Sequence, residues 1–117
     1  MEMSKGAYKI AKKVYSGQLT RNEGKININR DTGMNVGSAQ AFITIFLAMM
    51  NGEEYKRAFN NNTNKFLLDS IRQDFGELYY QNALDAVQKH INYYSNLGKG
   101  NLTGLQTIVN QLRLSLK

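Results

Sequence analysis

Apolar residues recur every three or four positions along most of this chain, which is the spacing of one face of an α-helix. The first such stretch, Ser4 to Tyr15, has lysines on its opposite side and predicts an amphipathic helix. Similar patterns from about Thr63 to Phe75, from Glu77 to Leu97 and from Thr103 onward predict three more helices. The sequence therefore predicts an all-α fold, a compact bundle of about six helices.

Glycines punctuate these stretches, and proline is absent from the chain. Each of several glycines follows an apolar-periodic stretch or separates two of them, as expected where helices end. They are Gly17, Gly33, Gly52, Gly76 and Gly98. Between Gly52 and the polar run that starts at Asn60, the residues from Glu53 to Phe59 predict one additional short helical turn.

A second short helix is predicted after Thr20, because the sequence from Thr20 to Glu23 has the form of a capping box. Gly24 and the alternation of apolar and polar residues from Ile26 to Asn29 weaken that prediction. A short extended segment at this position is the competing interpretation.

The third helix, from Asn35 or Ser38 to about Met50, is apolar on nearly every side. Its principal apolar face consists of Ala39, Phe42, Ile43, Phe46, Leu47 and Met50. The opposite side carries Ala41, Ile45, Ala48 and Met49. Such a helix is either surrounded by other helices or half-covered by a partner chain, so we expect it at the centre of the bundle or at a homodimer interface.

The composition fits a single helical domain, residues 1–117, of which 42% are apolar. The chain has no cysteine, which excludes a thiolate nucleophile and a cysteine-rich zinc site. It has a single histidine, His90, and neither a metal site nor a histidine-based nucleophile relay finds the further cysteine or histidine that it would need. We expect no catalytic residues, no metal, no cofactor and no enzyme activity. The longest apolar run, Ala41 to Met50, has about half the length of a membrane span, and no secretory signal is evident. These features predict a cytoplasmic protein without a membrane partner.

Positive charge is the feature that points most directly to a ligand. The 15 Lys and Arg residues outnumber the 9 Asp and Glu residues, for a net charge of +6. Such an excess is typical of proteins that bind nucleic acids. It also occurs in domains whose net charge only keeps them soluble and in domains that bind acidic proteins. The excess leans toward the N-terminal half, because residues 1–57 hold nine cations against five anions.

The segment from Thr20 to Met50 is compatible with a helix-turn-helix-like element whose turn contains Gly33. In that arrangement Asn35, Ser38 and Gln40 face DNA, where they can hydrogen-bond base edges or phosphates. The cations that can contact phosphates are Lys5, Lys9, Lys12, Lys13, Arg21, Lys25, Arg30, Lys56 and Arg57. Two observations oppose the insertion of the third helix into a DNA groove. A recognition helix rarely lacks basic residues, and a helix that is apolar on all sides more often belongs to the core of the protein.

Two further features admit a functional and a structural interpretation. The run from Tyr55 to Asn60 places Lys56 and Arg57 between aromatic residues, a pattern that can hold a phosphate and stack on bases. The alternative is a solvated charge pair beside two core aromatic side chains. His90 lies on the apolar side of its helix, where it either hydrogen-bonds across helices or contacts a ligand or DNA.

Several strings together resemble a known family. They are GMNVGSA from Gly33 to Ala39, YKR from Tyr55 to Arg57, FLLDSI from Phe66 to Ile71, DFG from Asp74 to Gly76, and AVQKHINYY from Ala86 to Tyr94. They are similar to a helical segment, spanning about Ala7 to Leu97 here, at the N-terminus of some bacterial HNH-type endonucleases of restriction or mobile-element systems. The resemblance implies an accessory domain that helps a nuclease hold DNA, with Arg57 and the turn from Asn35 to Ser38 as key positions. The histidine-rich nuclease part is not in this sequence, so no cleavage activity is implied.

The leading hypothesis is a non-catalytic module that binds nucleic acid, double-stranded DNA above all, as the DNA-recognition part of a nuclease system. A nuclease is then the implied partner. The alternative is a protein-interaction or homodimerisation domain that docks through the apolar helix 36–50.

Overall fold

The computed structural model describes residues 2–98 and 100–116, and these residues form α-helices joined by short coils. The helices are α1 (Glu2–Tyr15), α2 (Arg21–Thr32), α3 (Val36–Asn51), α4 (Asn61–Phe75), α5 (Glu77–Asn96) and α6 (Thr103–Leu114). No strand occurs in the described residues, so the predicted all-α architecture is confirmed. Ile26 to Asn29 lie within α2, and the competing extended segment is therefore wrong.

Residue contacts divide the chain into two compact units, Met1–Leu47 and Ala48–Lys117. The first unit contains α1, α2 and most of α3, and the second contains the last turn of α3 followed by α4, α5 and α6. The sequence prediction of one domain stays a prediction.

In the first unit, α1 and α2 pack closely because each helix brings a glycine to the contact. A Cβ atom on Gly6 would lie 2.5 Å from Cγ2 of Thr32, and one on Gly24 would lie 2.6 Å from Cγ2 of Val14. The start of α1 thus meets the end of α2, and the end of α1 meets the start of α2, so the two helices run antiparallel. A Cβ atom at either position would overlap the neighbouring methyl group unless one of the two shifted.

The ends of α2 are fixed by the signals that the sequence predicted. The Thr20 side chain accepts a hydrogen bond from the Glu23 N–H (3.1 Å), and the Glu23 carboxylate accepts one from the Thr20 N–H (2.9 Å), which completes the capping box. At the other end, Gly33 adopts a left-handed conformation with φ of 80°, and its N–H donates to the Asn29 carbonyl. The chain then turns through Met34 and Asn35 into α3.

Helix α3 is buried on almost every side, as its sequence predicted. Buried apolar side chains occur along its whole length and are Ala39, Phe42, Ile43, Ile45, Phe46, Ala48, Met49 and Met50. Phe46 packs edge-on against Tyr8 of α1, with ring centroids 5.5 Å apart. A narrow exposed stripe remains at Val36, Gln40 and Thr44, which are one helical turn apart.

In the second unit, α5 packs against both α4 and α6. Its buried face includes Tyr80, Leu84, Val87 and Ile91. Between α5 and α6, the amides of Gln88 and Gln106 each donate to the other at 2.9 and 2.8 Å. A reciprocal amide pair satisfies polar groups that partial burial would otherwise leave costly.

The predicted helical turn from Glu53 to Phe59 is wrong, because this segment is irregular coil. Tyr55 is 3% exposed, and its ring stacks on the His90 imidazole at 4.4 Å. Its hydroxyl donates to Asn64 at 3.4 Å, while the Asn64 amide donates to the carbonyls of Phe59 and Asn60. Contacts to side chains far along the chain therefore override the local helical preference of this segment.

The five glycines predicted to end helices do so with positive φ angles. They are Gly17, Gly33, Gly52, Gly76 and Gly98. Gly76 separates α4 from α5 by a single residue at φ of 90°, and its N–H donates to the Arg72 carbonyl. A residue with a side chain would be strained at that angle.

Candidate nucleic-acid interface

The exposed face of α1 carries a stripe of lysines. Lys5, Lys9 and Lys13 are exposed and follow one another at intervals of four residues, so they lie on the same side of the helix. Each interval rises about 6 Å along the axis. Lys12 is half-buried beside the stripe, with its ammonium 4.7 Å from the centroid of the Tyr8 ring. The opposite face of α1 is held in place by buried Ala7, Ile10 and Ala11.

An open groove of about 390 Å³ runs beside this stripe, between α1 and the end of α2. It is lined by Glu2, Met3, Lys5, Gly6, Lys9, Asp31 and Thr32. Arg30 lies next to the groove residue Asp31, and its Nε donates to Asp31 at 2.8 Å. That bond lowers the pKa of the Asp31 carboxyl and raises the pKa of the Arg30 guanidinium. The Arg30 side chain is nevertheless 66% exposed, so solvent screens the pair.

Two further predicted cations bridge α2 and α3. Arg21 Nη1 donates to the Thr44 hydroxyl at 3.0 Å, and Lys25 Nζ donates to the side-chain oxygen Oε1 of Gln40 at 3.3 Å. Both partners belong to the exposed stripe of α3. The structure thus brings Arg21, Lys25 and Gln40 together on one polar surface.

The predicted base-reading residues lie around the start of α3. Asn35 is exposed, and its side-chain oxygen accepts the N–H of Gly37 at 2.8 Å and that of Ser38 at 3.4 Å, as a helix cap does. Ser38 is half-buried, and Gln40 is exposed. The helix–turn–helix succession of α2, Gly33 to Asn35 and α3 is therefore present, but the side chains of Asn35 and Gln40 already have hydrogen-bond partners within the chain.

Lys56 and Arg57 lie in the second unit and are exposed. Lys56 Nζ is 5.7 Å from the centroid of the Tyr93 ring. The aromatic residues that flank the two cations in sequence do not form a stacking platform, because Tyr55 is buried against His90 and Phe59 is half-buried. The structural interpretation of this run, exposed charges beside core aromatic residues, is the one that the contacts support.

His90 is 1% exposed and lies inside the second unit. Its Nδ1 is 2.7 Å from the Tyr55 carbonyl oxygen, and because a carbonyl only accepts, Nδ1 must carry the proton. Its Nε2 has no hydrogen-bond partner among the described residues. Burial lowers the pKa of the imidazole, against the raising effects of the Tyr55 carbonyl and the Glu54 charge. This histidine is enclosed by the fold and offers no surface to a macromolecular ligand.

The second apolar side of α3, on which the alternative hypothesis depends, is not exposed. Ile45 is 1% exposed, Met49 is fully buried and Ala48 is 8% exposed. A partner that docked through helix 36–50 would have to displace side chains that are already packed within the chain. These three residues therefore offer no exposed apolar face, and the homodimerisation alternative stays a prediction.

In each unit, one partner of a predicted cation was not predicted. Thr44 anchors Arg21, and Tyr93 receives the Lys56 ammonium, yet neither belonged to the predicted site. The matching intervals of Arg21 to Lys25 and of Gln40 to Thr44 could have indicated two facing helices. No sequence signal indicated Tyr93, because its partner lies far away along the chain.

A comparison with protein-family models, with curated proteins and with solved structures finds no match to this chain. Among the described residues, no helix combines the length and apolarity that crossing a bilayer requires. Within the same residues, the acidic and histidine side chains form no group of three that could hold a metal ion.

Proposed function

We propose that this chain is a non-catalytic module that binds nucleic acid, with duplex DNA as its ligand. The observation that carries the proposal is the stripe of Lys5, Lys9 and Lys13 on the exposed face of α1. Lysines spaced along a rigid helix meet the phosphates of a polyanion and release its bound counterions, which is the main source of affinity in such complexes.

The charge of the first unit supports this assignment. Residues 1–47 contain seven cations and three anions, and two of the anions, Glu2 and Asp31, pair with Lys5 and Arg30 at 3.7 and 2.8 Å. Within the described residues, Lys9 and Lys13 have no carboxylate at ion-pair distance. Their ammonium groups are therefore available to phosphates.

The aromatic residues of the first unit favour a duplex over a single strand. Proteins that bind single strands stack bases on exposed aromatic side chains. Here Tyr8, Phe42 and Phe46 are buried, and Tyr15 is half-buried against Phe46. A ligand held by its phosphates alone, with its bases already stacked on each other, fits this surface better.

The resemblance to N-terminal segments of bacterial HNH-type endonucleases supports a wider setting for the module. In that setting it is cytoplasmic and delivers DNA to a nuclease that is fused to it or recruited by it. The nuclease is then its protein partner.

Binding is tested by fluorescence anisotropy with a short labelled duplex at two salt concentrations. The triple variant K5Q/K9Q/K13Q should lose much of the affinity in low salt, and the slope of log K against log salt should fall by up to about 2.7, because each lost phosphate contact removes about 0.9. The matched variant K5R/K9R/K13R keeps the charge and should bind like the parent chain. Absence of binding at tens of micromolar protein in low salt, or binding that ignores salt, would reject the proposal.

A further inference from the structure

We infer that the first unit holds duplex DNA by its backbone and does not read its sequence. The inference rests on the proposed function and adds the mode of recognition. Sequence is read by side chains that present hydrogen-bonding groups to base edges, whereas phosphate contacts carry no sequence information. The contacts of Asn35, Gln40 and the arginines decide between the two modes.

Asn35 cannot read adenine without damaging the fold. Bidentate recognition of adenine uses both the oxygen and the nitrogen of an amide side chain. The Asn35 oxygen accepts the N–H groups of Gly37 and Ser38 at the start of α3, where few other acceptors exist for them. Reading a base would remove the cap and leave these donors unpaired.

Gln40 and the cations of α2 constrain one another in the same way. The Gln40 oxygen accepts from Lys25, and the guanidinium of Arg21 donates to Thr44. These contacts lay two cationic side chains across the exposed stripe of α3. A base edge that approached this stripe would have to displace both side chains first.

Helix α3 itself lacks the charge that would hold it in a groove. No acidic or basic residue occurs from Val36 to Asn51, and Val36 at its start is 40% exposed. A recognition helix lies between two phosphate-lined walls, and contacts with those walls fix its register. The cations of this unit instead lie on α1 and α2.

Arg30 is engaged with a neighbouring carboxylate. Its Nε donates to Asp31 at 2.8 Å, which places a negative charge beside any ligand of this side chain. The side chain is 66% exposed, and its Nη groups keep their N–H donors for a phosphate oxygen. Guanine reading by these groups would appear as an enriched guanine-containing motif in the selection described below.

The test is a binding selection from a pool of random duplexes in low salt, followed by sequencing, with anisotropy measurements on selected and unselected duplexes. We expect the protein to retain DNA without enriching any motif. The affinities for all duplexes should agree within about threefold, which is less than the loss of affinity that one mismatched base pair causes in a sequence-specific protein. An enriched motif bound more than about tenfold tighter would overturn the inference while leaving the proposed function intact. Failure to retain any DNA would instead overturn the proposed function, and the inference with it.

Two variants separate a structural role from base reading. Asn35→Ser keeps a capping oxygen but removes the amide nitrogen, and Gln40→Ala removes the amide altogether. Both should bind every duplex within twofold of the parent chain, whereas K9Q/K13Q should weaken binding to all duplexes alike. A loss confined to one sequence in either amide variant would contradict the inference. Circular dichroism of each variant checks that the helices are retained.

Discussion

His90 shows how a single buried polar side chain can fix the path of a coil. Its Nδ1–H holds the Tyr55 carbonyl, and its ring stacks on the Tyr55 ring, so the segment between α3 and α4 is tied to α5. Lys89 adds a second tie by donating to the Gly52 carbonyl at 2.7 Å. The unpartnered Nε2 makes the neutral imidazole the favoured form, because protonation would bury a charge and a donor without an acceptor.

The stability of the protein should therefore depend on the titration of His90. Its folded-state pKa lies below the ordinary value of 6.5, so between the two values the unfolded chain binds more protons than the folded chain. The free energy of unfolding should fall as pH falls below 6.5 and should level off below the folded-state pKa. Urea denaturation at several pH values measures this trend.

His90→Asn is the control for this titration. Its amide nitrogen can still donate to the Tyr55 carbonyl, but the side chain does not ionise in this range. The variant should be less stable than the parent at neutral pH, by about 1–3 kcal/mol, because ring packing is lost. Its unfolding midpoint should lose the part of the pH dependence that belongs to the histidine. An unchanged pH profile in this variant would assign that dependence to other groups.

The helix boundaries were predictable where a local signal specifies them, as at Thr20, Gly33 and Gly76. The coil around Tyr55 was not predictable, because its conformation depends on His90, 35 residues further on. The close contact of α1 with α2 was missed for a related reason. Periodicity places Gly6 on a helix but does not reveal that Thr32 lies opposite it.

The capping box of α2 should make a measurable contribution to stability. Thr20→Ala removes the acceptor for the Glu23 N–H and should cost about 1 kcal/mol in the free energy of unfolding. Thr20→Ser keeps the hydroxyl and should be within a few tenths of a kcal/mol of the parent chain. Chemical denaturation of both variants tests this, and equal losses would show that the methyl group rather than the cap matters.

The contact between Gly6 and Thr32 predicts an unusual result for alanine. Alanine normally stabilises a helix over glycine by about 1 kcal/mol. Here the new methyl group would overlap Cγ2 of Thr32, whose rotamer is fixed because its hydroxyl donates to the Ile28 carbonyl and accepts from the Met34 N–H. We expect Gly6→Ala to destabilise the protein by about 1–2 kcal/mol.

Thr32→Ser removes only the methyl group in the way and keeps both hydrogen bonds. In the Gly6→Ala background it should restore most of the lost stability, whereas alone it should have a small effect. The four chains form a double-mutant cycle whose coupling free energy measures the overlap. A coupling near zero would mean that α1 and α2 separate to accommodate the methyl group.

The two units differ in charge, with a net charge of +4 for residues 1–47 and +2 for residues 48–117. They also differ in how their cations are used. In the second unit Lys65, Arg72 and Arg113 are paired with carboxylates at 2.8–2.9 Å. The candidate interface could be predicted as a set of cations but not as a surface, since the sequence does not show which of them are engaged within the fold.

This difference predicts which unit dominates DNA binding. K9Q/K13Q and K56Q/R57Q each remove two positive charges, so the net charge of the chain falls equally in both variants. If long-range attraction to the net charge governed binding, the two variants would weaken it equally. If direct phosphate contacts govern it, K9Q/K13Q should lower the salt slope by about 1.8. K56Q/R57Q should lower it less, because Glu53 and Glu54 adjoin these cations and Lys56 is held over Tyr93. Anisotropy titrations over a range of salt concentrations measure both slopes. A larger decrease of the salt slope in K56Q/R57Q than in K9Q/K13Q would show that the principal DNA contacts lie in the second unit.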